Sequence, residues 1–476
     1  MATDDWYPVQ PDDDDYDRVD TRSGRRTRGG ERGRALRVRQ EQVFVRRRRA
    51  VLAGLAAVVL VLVAVVGVWV LDRPGAADDA KAAVAGAGDP TGKAAGGTGA
   101  AGTSEQATEE DEDAEEKDEE PAPDPLWQKE PVPVERPSDT TALEQVDYLT
   151  GGLTPKSVMA SGHGLMILNN MMYSHTSTVY DSTTREQVAV LDDSLDLAEF
   201  GVEGHPGVSQ GSPVEAVWTE DGRYAYVSQY TMYGQNFGVE GFDACTKDSG
   251  VGASMVYRFD AEELAWDQAI RVGGVPKYLE ITPDQSTILV SNWCDATLSV
   301  VDVEQAKEVK VIDVNAAPRG IAIMPDSNTA YAVAMYAEEL YEIDIEAGTS
   351  EVVMNTALRP RHLNVTEDGR WLYLTASAGN AIFKIDTETM EVVDQVTPGM
   401  EPRSVTLSPD ETALYVVNYN EASVSKIRTS DMELIDKKPV DADPIGIDYD
   451  PVTNTVWVAC YNGAVYVFDD QSTPLP

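Results

Sequence analysis

Cysteine is scarce, with three in 476 residues. That scarcity excludes a scaffold built on disulfides and a zinc array ligated by cysteine. Histidine is nearly as rare. The four present are His163, His175, His205 and His362. None of them stands in an H-x3–5-H or HExxH spacing, so no metal site is expected. Positive charge is short as well: 38 Lys and Arg against 81 Asp and Glu, a net charge of −43. A surface that acidic argues against general affinity for DNA, RNA or anionic lipid, and no nucleic-acid partner is expected. There is no P-loop. A G-x-G-x-x-G match at residues 97–102 lies in a Gly/Ala-rich tract where no βαβ unit could use it, so no cofactor is expected.

Long apolar runs are absent with one exception. Residues 50–71 are 22 uncharged residues dominated by Val, Ala and Leu. As a helix rising about 1.5 Å per residue they would span roughly 33 Å, the thickness of a bilayer core. Four arginines (46–49) precede the run and Asp72 follows it. The positive-inside rule then places the N-terminus in the cytoplasm and the rest of the chain outside, as a single-pass protein of the cell membrane. A cleaved secretory signal ending near Ala85 is the competing reading, but signal cores run only about 7–15 residues. Residues 1–49, with 13 Arg and 10 acidic residues, have too few apolar groups to offset chain entropy and are expected to be disordered. Residues 72–140, rich in Ala, Gly, Pro, Glu and Asp, carry 6 basic and 19 acidic residues and read as a disordered, self-repelling linker. The remaining 141–476 hold 19 basic and 52 acidic residues, a net charge of −33.

That last region is a tandem repeat. Pro155, Pro213, Pro276, Pro318, Pro360, Pro402 and Pro444 are spaced 58, 63, 42, 42, 42 and 42 apart. Alternating apolar pairs such as Ile321/Ile323 and Val405/Leu407 give a period of two, which is strand rather than helix. Turn residues such as Pro409-Asp410-Glu411 separate four short strands per period, the pattern of a propeller blade. Seven prolines predict an all-β, seven-bladed propeller over 141–476. Only Asp470 to Pro476 follow the third strand of the last blade, while residues 143–155 align with 390–402. The N-terminal segment is therefore expected to supply the missing outer strand and close the ring, removing unpaired edges.

The residues Ser408-Pro409-Asp410, Leu414-Tyr415-Val416-Val417-Asn418, and Pro402 with its preceding Gly399 resemble the YVTN-type β-propeller repeat family of secreted and cell-surface proteins. Ile288-Leu289-Val290-Ser291-Asn292 is a second close match. The resemblance covers roughly residues 142–469. It implies a propeller, and a function that ranges from surface binding modules to lyases similar to the streptogramin-inactivating type.

With the first strand (A) at the axis and the fourth (D) at the rim, D–A and B–C loops share one face. The two long insertions, 192–211 and 230–254, both fall there, and loops on a rigid scaffold are where binding residues concentrate. Five prolines are followed by a base: Lys156, Lys277, Arg319, Arg361 and Arg403. Sevenfold geometry gathers these cations at one mouth of the central channel, walled by the insertions. Either each pairs with an acid such as Glu280 or Glu401, or together they bind a carboxylate or phosphate. His362, beside Arg361, is expected to line the channel. The favoured function is a monomeric, membrane-tethered extracellular recognition module for an anionic ligand or protein partner. The alternative is an extracellular lyase or hydrolase using His175, His205, Ser209 or His362, although no acid–base cluster is visible and no catalytic residue is assigned. Ser209 sits in a G-x-S-x-G match that lacks the strand–helix context of a nucleophile elbow. In an oxidising compartment Cys245 and Cys294, in neighbouring B–C loops, are expected to form a disulfide, with Cys460 a buried thiol.

Overall fold

The computed structural model describes residues 125–203, 208–231, 236, 245–356 and 358–475. The arginine-rich segment, the apolar run 50–71, the linker as far as residue 124, and His205 lie outside the described residues. Among the described residues no helix is long and apolar enough to cross a membrane.

The strands of the described residues form seven four-stranded antiparallel sheets and one two-stranded hairpin. The seven sheets are the blades of a β-propeller. Their inner strands are Ser157–Ala160, Pro213–Trp218, Pro276–Ile281, Pro318–Ile323, Pro360–Val365, Pro402–Leu407 and Pro444–Asp450, and they neighbour one another in that order around the axis. Proline begins six of the seven inner strands, a first position where its missing N–H is not needed. The strand outermost in the last blade is Thr141–Thr150, from the other end of the described chain. It pairs antiparallel with Ala464–Pro474, from Thr150 opposite Ala464 to Thr141 opposite Pro474. That third strand runs past Asp469, where the repeat pattern ends it, because two register shifts let it keep pairing.

Recurring turn residues have local causes. The aspartate ending most third strands turns its carboxylate onto the next backbone amides. Asp181 accepts from Thr183 and Thr184 N–H at 2.8 and 3.0 Å, and Asp469 from Gln471 and Ser472 at 2.8 and 2.7 Å. In the inner turn a hydroxyl donates to an aspartate two residues on, as from Thr282 to Asp284 (2.6 Å) and from Ser408 to Asp410 (2.6 Å). These are turn-forming bonds.

The asparagine that ends strand B is a buried fastener. Asn292 Nδ2 donates to Thr297 and Ser299 hydroxyls at 3.1 and 2.8 Å, and Asn418 Nδ2 to Ser423 and Ser425 at 3.0 and 2.9 Å. Blades four and five replace it with Ala334 and Ala376, and there the facing third strand carries Glu339/Tyr341 and Ala381/Phe383 in place of the hydroxyl pair.

The expected boundary at residue 141 needs correction. Residues 125–140, read from composition as linker, lie against the propeller. Lys129 pairs with Asp181 at 2.7 Å, Val132 N–H donates to Pro451 O at 2.8 Å, and Ser138 N–H donates to Asp410 at 2.8 Å. Trp127 packs beside the apolar cluster between blades one and two. An acidic composition concealed a few well-placed contacts.

The insertion at 192–211 is a hairpin, Ser194–Asp196 with Val208–Gln210. Its described residues do not line the axial cavity. Leu197, Phe200 and Val202 pack instead against Tyr257, Trp266 and Ala269 of blade two. Cys245 and Cys294 form a disulfide with Cα atoms 5.1 Å apart, and Cys460 is a buried free thiol.

Candidate functional site: a buried cation cluster on the propeller axis

Strand A carries a register shift between its proline and the third or second residue after it in blades two to seven, as between Pro276 and Leu279 or Pro318 and Ile321. A bulge of this kind sets consecutive side chains on one side of a strand. It explains why residues one and two positions after the prolines line one small axial cavity of about 10 Å³, room for about one water molecule. Lys156, Lys277, Arg319, Arg361 and Arg403 come from the first position, and Glu215, Tyr278, His362 and Ser404 from the second. Two glycines in the second position, Gly320 and Gly446, are required by close approach. A Cβ on Gly320 would stand 2.8 Å from His362 Cα, and one on Gly446 2.8 Å from Ser157 Cα.

The five bases are gathered as expected, but in an interior and not around an open mouth: their exposures lie between 3% and 7%. What surrounds them differs from the sequence expectation too. Lys156 Nζ donates to Glu215 Oε1 at 2.6 Å. Arg403 Nε donates to Glu401 Oε1 at 2.8 Å, and its guanidinium lies 3.3 Å from the Tyr419 ring centroid. Glu401 was one of two acids expected to pair. The other, Glu280, is engaged by Tyr278, whose hydroxyl donates to it at 3.3 Å. Lys277 lies over two rings, 4.4 Å from the Tyr230 centroid and 5.2 Å from Trp293. Arg319 lies 5.8 Å from the Trp293 centroid and 3.9 Å from Met335 Sδ.

These aromatic and thioether groups went unread in the sequence, yet they also repeat. Met172, Tyr230, Trp293, Met335, Ser377, Tyr419 and Tyr461 each stand 17 residues after a register proline. They follow strand B and form a layer on the face of the D–A and B–C loops. Six of them return a backbone N–H to the residue before their own blade's register proline, as Trp293 to Val275 O at 3.0 Å and Tyr419 to Glu401 O at 3.0 Å. All of those acceptor residues except Ser212 hold left-handed backbone: Val275 has φ 57°, Glu401 55° and Asp443 59°. For β-branched Val275 that conformation is strained. It is held by the Trp293 bond and by donation of its own N–H to Thr231 Oγ1 at 2.9 Å.

Burial and like charge shape the protonation of the cavity. Lys156 is lowered to about 8, first by burial and then by Arg319 and Arg361, with Glu215 opposing. His362 is lowered to about 3 by burial and by the charges of Lys156 and Arg319. It is therefore a neutral imidazole near pH 7. Its Nδ1 accepts from Val405 N–H at 3.0 Å, so the ring proton sits on Nε2. Further along the inner strands, burial pushes Glu280 up to about 8 and Asp448 up to about 6. Asp448 accepts from Ala160 N–H at 2.8 Å and Thr406 Oγ1 at 3.0 Å.

The three described residues of the enzymatic alternative do not converge. His362 is in the axial cavity. His175 Nδ1 lies 3.8 Å from Asp193 at the foot of the blade-one hairpin, and Ser209 sits on that hairpin beside Tyr257. His205 is outside the described residues. Among the described residues no group of three or more His, Cys, Asp or Glu is placed to hold a metal ion.

No family model matches the chain, and no curated protein matches it. Among solved structures, the hydrazine synthase of Kuenenia stuttgartiensis is similar to it, with a TM-score of 0.51 at 18% identity, covering 68% of this chain and 98% of that one. At that identity the likeness is one of fold: a β-propeller.

Proposed function

We propose that this chain is a membrane-tethered recognition module that binds the anionic group of an extracellular ligand at the D–A/B–C loop face around the central channel, beside its axial cation cluster. Five cations line a single cavity against two carboxylates, Glu215 in its wall and Glu401 paired with Arg403, and that excess of positive charge carries the reading. Like charges concentrated away from water are unfavourable unless an anion offsets them. Arginine forks suit carboxylate and phosphate oxygens, and each charge-assisted contact is worth about 1.5–3 kcal/mol. The tether rests on the apolar run 50–71 and its arginine flank, which together orient the propeller outward. Because the cations are buried, bulk salt should weaken binding less than it would at an open rim.

Calorimetric titration of the full chain with inorganic phosphate and with a small dicarboxylate tests this reading. Binding is expected for at least one of them and lost in the triple variant Arg319→Gln/Arg361→Gln/Arg403→Gln, with the strand signal in circular dichroism unchanged. A triple variant that binds like the wild type would contradict it.

A further inference from the structure

We infer that the axial cavity is a halide site, holding one chloride ion among its bases. The inference goes beyond the ligand reading and shares with it only the cation cluster.

Size excludes the larger anions. About 10 Å³ is room for one water molecule, so a carboxylate, phosphate or sulfate does not fit, whereas a chloride ion is only slightly larger than water. Charge favours an anion of that size. Five residues of the wall are Lys or Arg and one, Glu215, is a carboxylate; Glu401, paired with Arg403, adds a second. The bases are 3–7% exposed, so bulk water screens them little from one another. Lys156 registers the crowding: burial first, and then the charges of Arg319 and Arg361, hold it down to about 8 against the pull of Glu215.

Hydrogen-bond chemistry separates a halide from a water. Lysine and arginine side chains only donate. His362 adds a further donor, since Val405 N–H occupies its Nδ1 and leaves the ring proton on Nε2. The hydroxyls of the wall turn their protons elsewhere, Ser404 to Ile445 O at 2.7 Å and Tyr278 to Glu280 at 3.3 Å. The one carboxylate of the wall already accepts from Lys156 at 2.6 Å. A water would find donors in plenty and few acceptors for its own two protons, while a halide only accepts. Bases from blades one, three, four, five and six meet at the ion, which should therefore stabilise the closed ring.

Two measurements on the full chain test the site. In crystals grown with sodium bromide, an anomalous bromine peak is expected in the axial cavity, in contact with Arg319 and Arg361. In urea unfolding at constant ionic strength, replacing sodium methanesulfonate, whose anion is too large for the cavity, by sodium chloride should raise the midpoint. Arg361→Met removes one charge-assisted contact and should need about tenfold more chloride, or above, for the same relative gain. Lys307→Met, at an exposed base, should respond as the wild type does. A cavity holding water and no bromine overturns the inference, and so does an unchanged chloride response in Arg361→Met, which would mark a general salt effect. Should that variant fail to fold, the bromine peak decides alone. A bromine peak without binding of phosphate or the dicarboxylate upholds the halide site and removes the ligand reading; binding of either without the peak does the reverse.

Discussion

Glu280 shows how one buried carboxyl sets a pH dependence. Its pKa in the folded chain is about 8, raised from the ordinary 4.5 chiefly by burial. A raised carboxyl favours the protonated fold, so its contribution is complete below about 4.5 and is lost as pH rises toward 8. Glu280→Gln cannot ionise. In urea unfolding it should match the wild type near pH 4.5 and exceed it near pH 8, by up to about 1.4 kcal/mol for each pKa unit relieved. Equal stability at both pH values would show that the Glu280 carboxyl stays solvated. His362 works from the other side: with its pKa lowered to about 3, its contribution is lost as pH falls from 6.5 toward 3. Asn418 makes a simpler case. Replacing it with Ala leaves the buried Ser423 and Ser425 hydroxyls without their amide donor. Asn418→Ala should cost about 1–3 kcal/mol by denaturant titration, and Ala334, already accommodated in blade four, should tolerate exchange for Ser with a much smaller change.

At the scale of elements, the closing strand is held by more than its ladder. Lys426 of blade six, fully buried, donates to Thr141 O at 2.8 Å and pairs with Asp470 at 2.5 Å, and Tyr415 hydroxyl also donates to Asp470 at 2.6 Å. Removing one member of a buried ion pair strands the other, at a cost of about 3–5 kcal/mol. Lys426→Met should therefore destabilise the propeller by that amount in urea, and Lys426→Met/Asp470→Leu should recover part of it. A single variant as stable as the wild type would mean that blade seven closes without this latch. The blade count and the one-plus-three closure were legible because Pro155 to Pro444 and the 143–155 alignment are repeat signals, copied with each blade. The contacts of Trp127 and Lys129 were not, since they occur once and sit in a segment whose composition is that of a solvated linker. The cation positions could be read for the same reason as the prolines. Their burial could not, because it depends on the strand-A bulge and on the layer that includes Tyr230, Trp293 and Tyr419, residues that look like ordinary core aromatics until the ring brings them over the bases.

For the whole molecule, the charge distribution is the organising fact. A propeller region of net charge −33 keeps five of its 19 bases together in one cavity at the axis. An acidic exterior repels anions at a distance, so selection of a ligand must come from close contact beside the cation cluster and not from long-range steering. The proposed tether carries its own whole-molecule prediction: in intact cells, a protease added outside should degrade the propeller while residues 1–49 stay protected, and protection of both would reverse the orientation. The most direct measurement for the central claim is a crystal structure with selenate, a tetrahedral dianion whose selenium scatters anomalously. The account predicts a peak at the D–A/B–C loop face on the axis, beside the cluster of Arg319, Arg361 and Arg403. No peak at that face, with selenate bound only elsewhere on the surface, would contradict it.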